Sequence, residues 1–125
     1  MEGVTVEKIS PVHIDERGTI TDILNKEVSH VGFIVTKKGV VRAKHYHKQS
    51  IQYSYILKGK FEVTVANPDN LEERETFILN AGEMITINSN IVHVFKALED
   101  SDMIDMISLS RAGTGYEDDV VRVNI

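Results

Sequence analysis

Apolar and polar residues alternate with a period of two along most of the chain, the pattern of half-buried strands. The alternation is clearest where Phe61, Val63 and Val65 interleave with Glu62 and Thr64. Similar short runs occupy 19–24, 31–36, 40–47, 52–57, 75–79, 84–87, 91–95, 103–109 and 120–125. Turn residues separate them. Asp15-Glu16-Arg17-Gly18, Lys37-Lys38-Gly39 and Asn80-Ala81-Gly82 read as turns, Lys58-Gly59-Lys60 as a hairpin, and Asn67-Pro68-Asp69-Asn70 as a loop. Residues 111–119, with Gly113 and Gly115, also read as a loop. No segment keeps a 3.6-residue period beyond two turns, and 71–74 forms one helical turn at most. Many short strands at regular spacing predict an all-β sandwich or barrel.

Composition narrows the class. A chain of 125 residues is expected to form a single domain over 1–125. With 42% hydrophobic and 26% charged residues, it is not a disordered chain. It has no cysteine, which excludes disulfides, thiolate metal sites and cysteine nucleophiles. Residues 1–10 lack an apolar core, so no signal peptide is expected. No apolar run approaches the roughly 18 residues that span a bilayer. The expectation is a soluble, cytoplasmic protein without a membrane partner. The net charge of −5 disfavours nucleic acid as a partner. Lys37, Lys38, Arg42, Lys44 and Lys48 nevertheless fall in a stretch with no acid, which suits either an anionic ligand or a solvated strand edge.

The candidate chemistry lies in two spaced runs. Gly39, His45, His47, Gln52 and Gly59 are separated by five, one, four and six residues; Gly82 leads to Asn88, Asn90 and His93. His-x-His on a strand places both rings on one face, about 6.6 Å apart at the backbone.

These runs resemble the motifs of the cupin superfamily, G-x5-H-x-H-x(3,4)-E-x6-G at 39–59 and G-x5-P-x-G-x2-H-x3-N at 82–97. The first fits at every spacing, with Gln52 in the glutamate position. The second fits at Gly82 and His93, while Asn88, Asn90 and Ala97 replace proline, glycine and asparagine. The resemblance covers about residues 15–110. It implies a double-stranded β-helix (jelly roll) with the motif residues facing into the barrel mouth. It also implies a homodimer with an exchanged or added edge strand.

A finer resemblance is to RmlC-like cupins that act on nucleotide sugars. It is carried by Asp15-Glu16-Arg17-Gly18 and by Arg42-Ala43-Lys44-His45-Tyr46-His47, which is similar to R-G-x-H-x-H with Ala43 in place of glycine. Gly115-Tyr116-Glu117-Asp118-Asp119, followed by Val121-Arg122-Val123, also looks like the tail of sugar-epimerase-type cupins. Gln52 looks like the ketoisomerase branch, which interconverts 4-keto and 3-keto forms of dTDP-linked 6-deoxyhexoses and generally works without metal.

Two chemistries stay open for the same histidines. In the first, His45 and His47 are the acid–base pair of an isomerase or epimerase, and Gln52 holds a tautomer or a sugar hydroxyl. Imidazole, with a pKa of about 6.5, can take and return a proton near neutrality. Arg42, Gln52, His93 and Tyr116 are the substrate-binding candidates, and no cofactor is required. In the second, His45, His47, His93 and Gln52 hold one divalent transition metal (Zn, Fe, Ni, Mn or Cu) in a dioxygenase or small-molecule isomerase. A non-catalytic sugar-binding cupin is a third class. The expected partner in the first reading is an anionic nucleotide sugar.

Other positions read as structural. A regular strand turns Arg42, Lys44 and Tyr46 away from the histidines, so Arg42 reaches a ligand only near the strand start, after a bulge, or across a dimer. Tyr46, Tyr53 and Tyr55 are expected in sheet packing or a dimer interface. Met84, Met103 and Met106 are expected in the core. His13 and His30 are expected as ordinary surface or turn residues, and Tyr116 as a loop residue able to cover the pocket.

Overall fold

The computed structural model describes residues 1–125. The strands are β1 (Val4–Lys8), β2 (His13–Asp15), β3 (Gly18–Ile20), β4 (His30–Thr36), β5 (Val41–His47) and β6 (Gln52–Lys58). They continue with β7 (Lys60–Asn67), β8 (Asn70–Asn80), β9 (Glu83–Ile87), β10 (Val92–Ala97), β11 (Ser101–Ile107) and β12 (Val120–Arg122). One short helix, α1 (Gly115–Asp119), precedes β12. Two five-stranded antiparallel sheets form, in the orders β1-β9-β6-β11-β4 and β12-β5-β10-β7-β8, with β2-β3 as a separate hairpin. This is the all-β jelly roll that the motif resemblance implies.

Alternation sets the layers. Ile56, Phe61, Val63, Val65, Leu79, Ile85, Ile87, Phe95 and Met103 point between the sheets and form the apolar core. The same inward parity continues along these strands to Gln52 and Ser54 on β6, Asp105 on β11, His45 and His47 on β5, and His93 on β10, all buried. One stretch of the interior is therefore polar, and that stretch holds the site.

The outward face of the first sheet carries a second cluster. Tyr53, Met84 and Met106 lie there, covered by Ile9, Ile23, Leu24 and Val28. Met103 is in the main core, whereas Met84 and Met106 fill this outer layer. The strand expected at 19–24 ends at Ile20; its remaining apolar residues cover a sheet instead of pairing into one.

Three further expectations change. Lys58-Gly59-Lys60 is not a hairpin, because β6 and β7 belong to different sheets. Gly59 is the crossover, with φ +90°. Residues 71–74 lie inside β8, and the expected loop 111–119 contains α1. The N-terminal strand β1 closes the edge of β9 within its own chain, leaving β4 as the opposite edge of that sheet.

Gly59 explains why a turn signal marks a crossover. A Cβ there lies 2.6 Å from Ser101 Cβ and 2.7 Å from the Asp100 carbonyl oxygen. The Ser101 hydroxyl oxygen also accepts the Lys60 N–H at 3.0 Å, tying the crossover to the start of β11. Gly59→Ala is expected to destabilise the chain by about 2 kcal/mol or more, from positive φ and the clash together. Urea unfolding measures it; a change within about 0.5 kcal/mol, the range of an innocuous surface substitution, contradicts this role.

Candidate functional site

Cross-strand register brings the three motif histidines together. His93 on β10 stands directly opposite His45 on β5, and His47 follows two residues later on the same face. Ring centroids are 4.8 Å apart for His45–His93, 5.0 Å for His45–His47 and 5.5 Å for His47–His93. The strand is not regular before them. Val94 pairs with Ala43, so Lys44 is left without a partner on β10, and Ala43 (φ 75°) and Lys44 (φ 59°) both adopt left-handed backbone. This β-bulge brings Arg42 to the cavity rim, where a regular strand keeps it on the opposite face. The glycine that the motif resemblance places at 43 is the residue type such a backbone favours; here alanine holds it.

A cavity of about 210 Å³ opens over His45 and His47; His93, expected to bind substrate, is fully buried and does not line it. Its walls include Arg42, His45, His47, Gln52, Asp105, Arg111, Tyr116 and Asp119. The Tyr116 ring lies 6.2 Å from that of His45, with the Arg111 guanidinium 4.0 Å over its face. Tyr116 thus covers the cavity, from α1 rather than from a loop. Arg42 is braced by hydrogen bonds from Nε to Thr36 Oγ1 (2.8 Å) and from Nη2 to the Val35 carbonyl (2.9 Å).

His47 has the most structured surroundings. Its Nδ1–H donates to Asp119 Oδ2 at 3.0 Å, and its Nε2 lies 3.1 Å from Gln52 Oε1. Asp119 is further held by the Ser50 hydroxyl (2.6 Å) and the Gln49 N–H (2.8 Å). Burial pulls the Asp119 carboxyl upward, but these donors and His47 outweigh it and hold the group below its usual range. An ionised Asp119 accepts only, which puts a hydrogen on His47 Nδ1.

The other two imidazoles are kept uncharged. Burial, then the nearness of His45, lowers His93 to about 3 despite its bond to the Ile91 carbonyl. Burial, then the charges of His47, Arg122 and Arg111, lowers His45 to about 4. His93 Nδ1–H donates to Ile91 O at 3.0 Å, and its buried Nε2 has no partner. That orphaned lone pair belongs to a set of three imidazole donor atoms within 4.8 Å of one another. These residues fit a divalent transition ion, with Gln52 Oε1 as a neutral oxygen nearby and Asp119 orienting His47 from behind.

Asp119, Ser50, Asp105 and Arg111 are cavity groups that the motif does not contain, and Ser54 is buried behind Gln52. Asp105 carried one readable signal, a lone acid on the inward parity of Met103 and Ile107. Asp119 lies 72 residues from His47, and no local pattern links them. Of the five basic residues at 37–48, only Arg42 lines the cavity. The four lysines are exposed and solvated. His13 is exposed and bonded to Asp15, and His30 lies 3.4 Å from Arg111 Nη1.

The profile of the Cupin domain family matches residues 32–108. The chain belongs to the cupin family. Solved structures share the fold. The QdtA 3,4-ketoisomerase of Thermoanaerobacterium thermosaccharolyticum, a double variant in complex with TDP, is 22% identical with a TM-score of 0.78, over 98% of this chain and 88% of that one. A dTDP-4-dehydrorhamnose 3,5-epimerase of Sulfolobus tokodaii is 23% identical with a TM-score of 0.74, over 91% and 74%. ChmJ, a 3'-monoepimerase of Streptomyces bikiniensis in complex with dTDP-quinovose, is 18% identical with a TM-score of 0.81, over 98% and 70%. At these identities the likeness is one of fold. No curated protein sequence matches this cupin. No helix of the cupin is long and apolar enough to cross a membrane.

The buried imidazoles set a pH dependence. In the unfolded cupin His45 and His93 protonate near pH 6.5; folded, they do so only near pH 4 and 3. The folded state binds fewer protons between those limits, so stability is full above pH 6.5 and falls as pH drops through the window. Each group contributes at most about 1.4 kcal/mol per pH unit. Urea unfolding of the metal-free cupin is expected to show this decline between pH 6.5 and 4.5, with a shallower decline in His93→Asn. Equal slopes for the two proteins contradict the assignment.

Proposed function

We propose that this cupin is an isomerase or epimerase acting on a keto intermediate of a nucleotide-linked deoxysugar by histidine acid–base chemistry. The observation that carries the reading is the buried Asp119–His47 pair at the cavity wall. A carboxylate behind an imidazole fixes its tautomer and stabilises the imidazolium that forms when it takes a proton. The shared fold of the ketoisomerase and epimerase structures supports the same class.

The chemistry follows from the placement. His47 Nε2 removes the proton from the carbon beside the ketone, giving an enediolate across the two carbons. Asp119 balances the charge that His47 gains, and Gln52, beside that ring, is placed to bind a sugar hydroxyl. Returned by His47 to the neighbouring carbon, while the hydroxyl proton passes to the former carbonyl oxygen, the proton moves the ketone one position; protonation of the first carbon from the opposite face, by a second donor, inverts that centre instead. His45 stays neutral at pH 7 and donates an N–H to the developing oxygen without competing for the proton. Tyr116 closes over the sugar. Arg42 has Nε and Nη2 occupied and keeps the Nη1 hydrogens for phosphate oxygens, while Arg111 adds a second positive charge.

One observation favours a second reading. The orphaned His93 Nε2 suits a metal held by His45, His47 and His93 with Gln52 alongside. When bound, such an ion polarises a substrate oxygen as a Lewis acid; His93 and His45, uncharged at pH 7, need no deprotonation to bind it.

We also propose a homodimer through the β4 edge. Val31, Phe33 and Val35 on its outward face are 64%, 61% and 58% exposed. Segment 21–29 covers the middle of that sheet and leaves this strip bare beside an unpaired strand edge. A second copy of the same strip covers both at once. Light scattering should report twice the 14.1 kDa chain mass for the wild type and one chain for Phe33→Glu. A monomeric wild type contradicts the assembly.

The function is tested by NMR of dTDP-4-keto-6-deoxyglucose with the enzyme in D2O, with metal content measured on the same preparation. Deuterium should enter at the carbon beside the ketone. His47→Asn and Asp119→Asn should each lower the rate by about 10²–10⁴-fold while the fold persists. No exchange, or saturable calorimetric binding without turnover, removes the isomerase reading. Activity that requires stoichiometric metal selects the second.

A further inference from the structure

Glycine inside a strand weakens it, so its presence there calls for a reason. Gly32 lies in the middle of β4, and its backbone is not left-handed. The reason is space. Gly32 belongs to the inward row of His30, Gly32 and Ile34 and stands opposite Asp105 on β11. A Cβ at position 32 would lie 3.1 Å from His30 Nε2 and 3.7 Å from His30 Cε1. The missing side chain is the seat of the His30 ring.

The seated ring has one polar partner. Arg111 Nη1 donates to His30 Nε2 at 3.4 Å. A guanidinium only donates, so the imidazole accepts and keeps its own hydrogen on Nδ1. This bond fastens the segment between β11 and α1. Within 110–115 every other hydrogen bond stays inside the segment or runs to α1. The Arg111–His30 bond alone joins it to a strand. Arg111 then lies with its guanidinium 4.0 Å over the Tyr116 ring and lines the cavity. It forms no ion pair with a carboxylate, so its charge and its remaining N–H groups are left for a ligand.

We propose that His30, seated over Gly32, is a positioning residue that straps Arg111 across Tyr116, where the guanidinium receives the anionic part of the ligand. The proposal rests on the nucleotide-sugar reading for the identity of that anion, the diphosphate. A histidine outside the motif, on the far strand of the opposite sheet, thereby holds the cover of the cavity in place.

NMR of the labelled, metal-free chain without ligand tests the seat, at about pH 8 and so above the ordinary imidazole range. His30 should be neutral with its hydrogen on Nδ1. A hydrogen on Nε2 overturns the proposal without any variant. In His30→Ala the Tyr116 ring signals should move and exchange of the Arg111 Nε hydrogen should rise at least fivefold. A change under twofold with unmoved Tyr116 signals overturns it. Calorimetry with dTDP tests the strap. His30→Ala should weaken binding about 5- to 10-fold, and His30→Gln, whose amide oxygen reaches the Nε2 position, should recover most of the loss. Because His30 acts through Arg111, His30→Ala combined with Arg111→Ala should bind no more weakly than Arg111→Ala alone. Additive losses, or Gln no better than Ala, overturn the proposal. Gly32→Val, which puts a strand-favouring side chain into the seat, should bind as weakly as His30→Ala; wild-type affinity overturns it. In the D2O assay the His30→Ala loss should fall on KM, and a loss confined to kcat overturns it. If the NMR results hold and the wild type does not bind dTDP, the strap stands and the nucleotide-sugar reading falls.

Discussion

Desolvation of three imidazoles governs this molecule. The ring centroids of His45, His47 and His93 lie within 5.5 Å of one another in the interior of a β-sandwich. A charge buried there is costly unless it is paired. The structure meets the constraint unequally. His93 and His45 are held neutral, and His47 alone is given a carboxylate, Asp119, with which to share a positive charge. One fold thus makes three identical side chains chemically distinct, and proton-transfer chemistry needs that division.

The scaffold enforces it through register more than through local sequence. Pairing of β5 with β10 sets His45 against His93, and the bulge at Ala43–Lys44 carries Arg42 round to the same cavity. Pairing of β12 with β5 places Val120 beside His47, and the preceding residue is Asp119. The last strand therefore acts as a brace that delivers the carboxylate. The opposite wall is supplied by β6 and β11, whose apolar inward rows give way to Gln52, Ser54 and Asp105 where they reach the imidazoles.

Most of the strands were legible because alternation and turn residues agree, as at 61–65 and 67–70. The shared face of His45 and His47 was legible from the period of two, whereas the jelly roll and the inward place of His93 were legible only through the resemblance to the cupin motifs. Three kinds of information were not local. Lys58-Gly59-Lys60 has hairpin chemistry, yet its glycine serves a tight passage past Ser101 between two sheets. Arg42 was a candidate only if the strand departed from regular parity, and the bulge that supplies the departure shows in the backbone alone. Asp119 sat in an acidic run at the end of the chain, and only the closure of β12 onto β5 shows that it serves His47.

Neutron diffraction from crystals of the metal-free, deuterium-exchanged chain tests the central claim most directly. The account predicts deuterium on Nδ1 of both His47 and His93, none on His93 Nε2, and none on the carboxylate of Asp119. A deuteron on Asp119 Oδ2, or an imidazolium at His93, contradicts it.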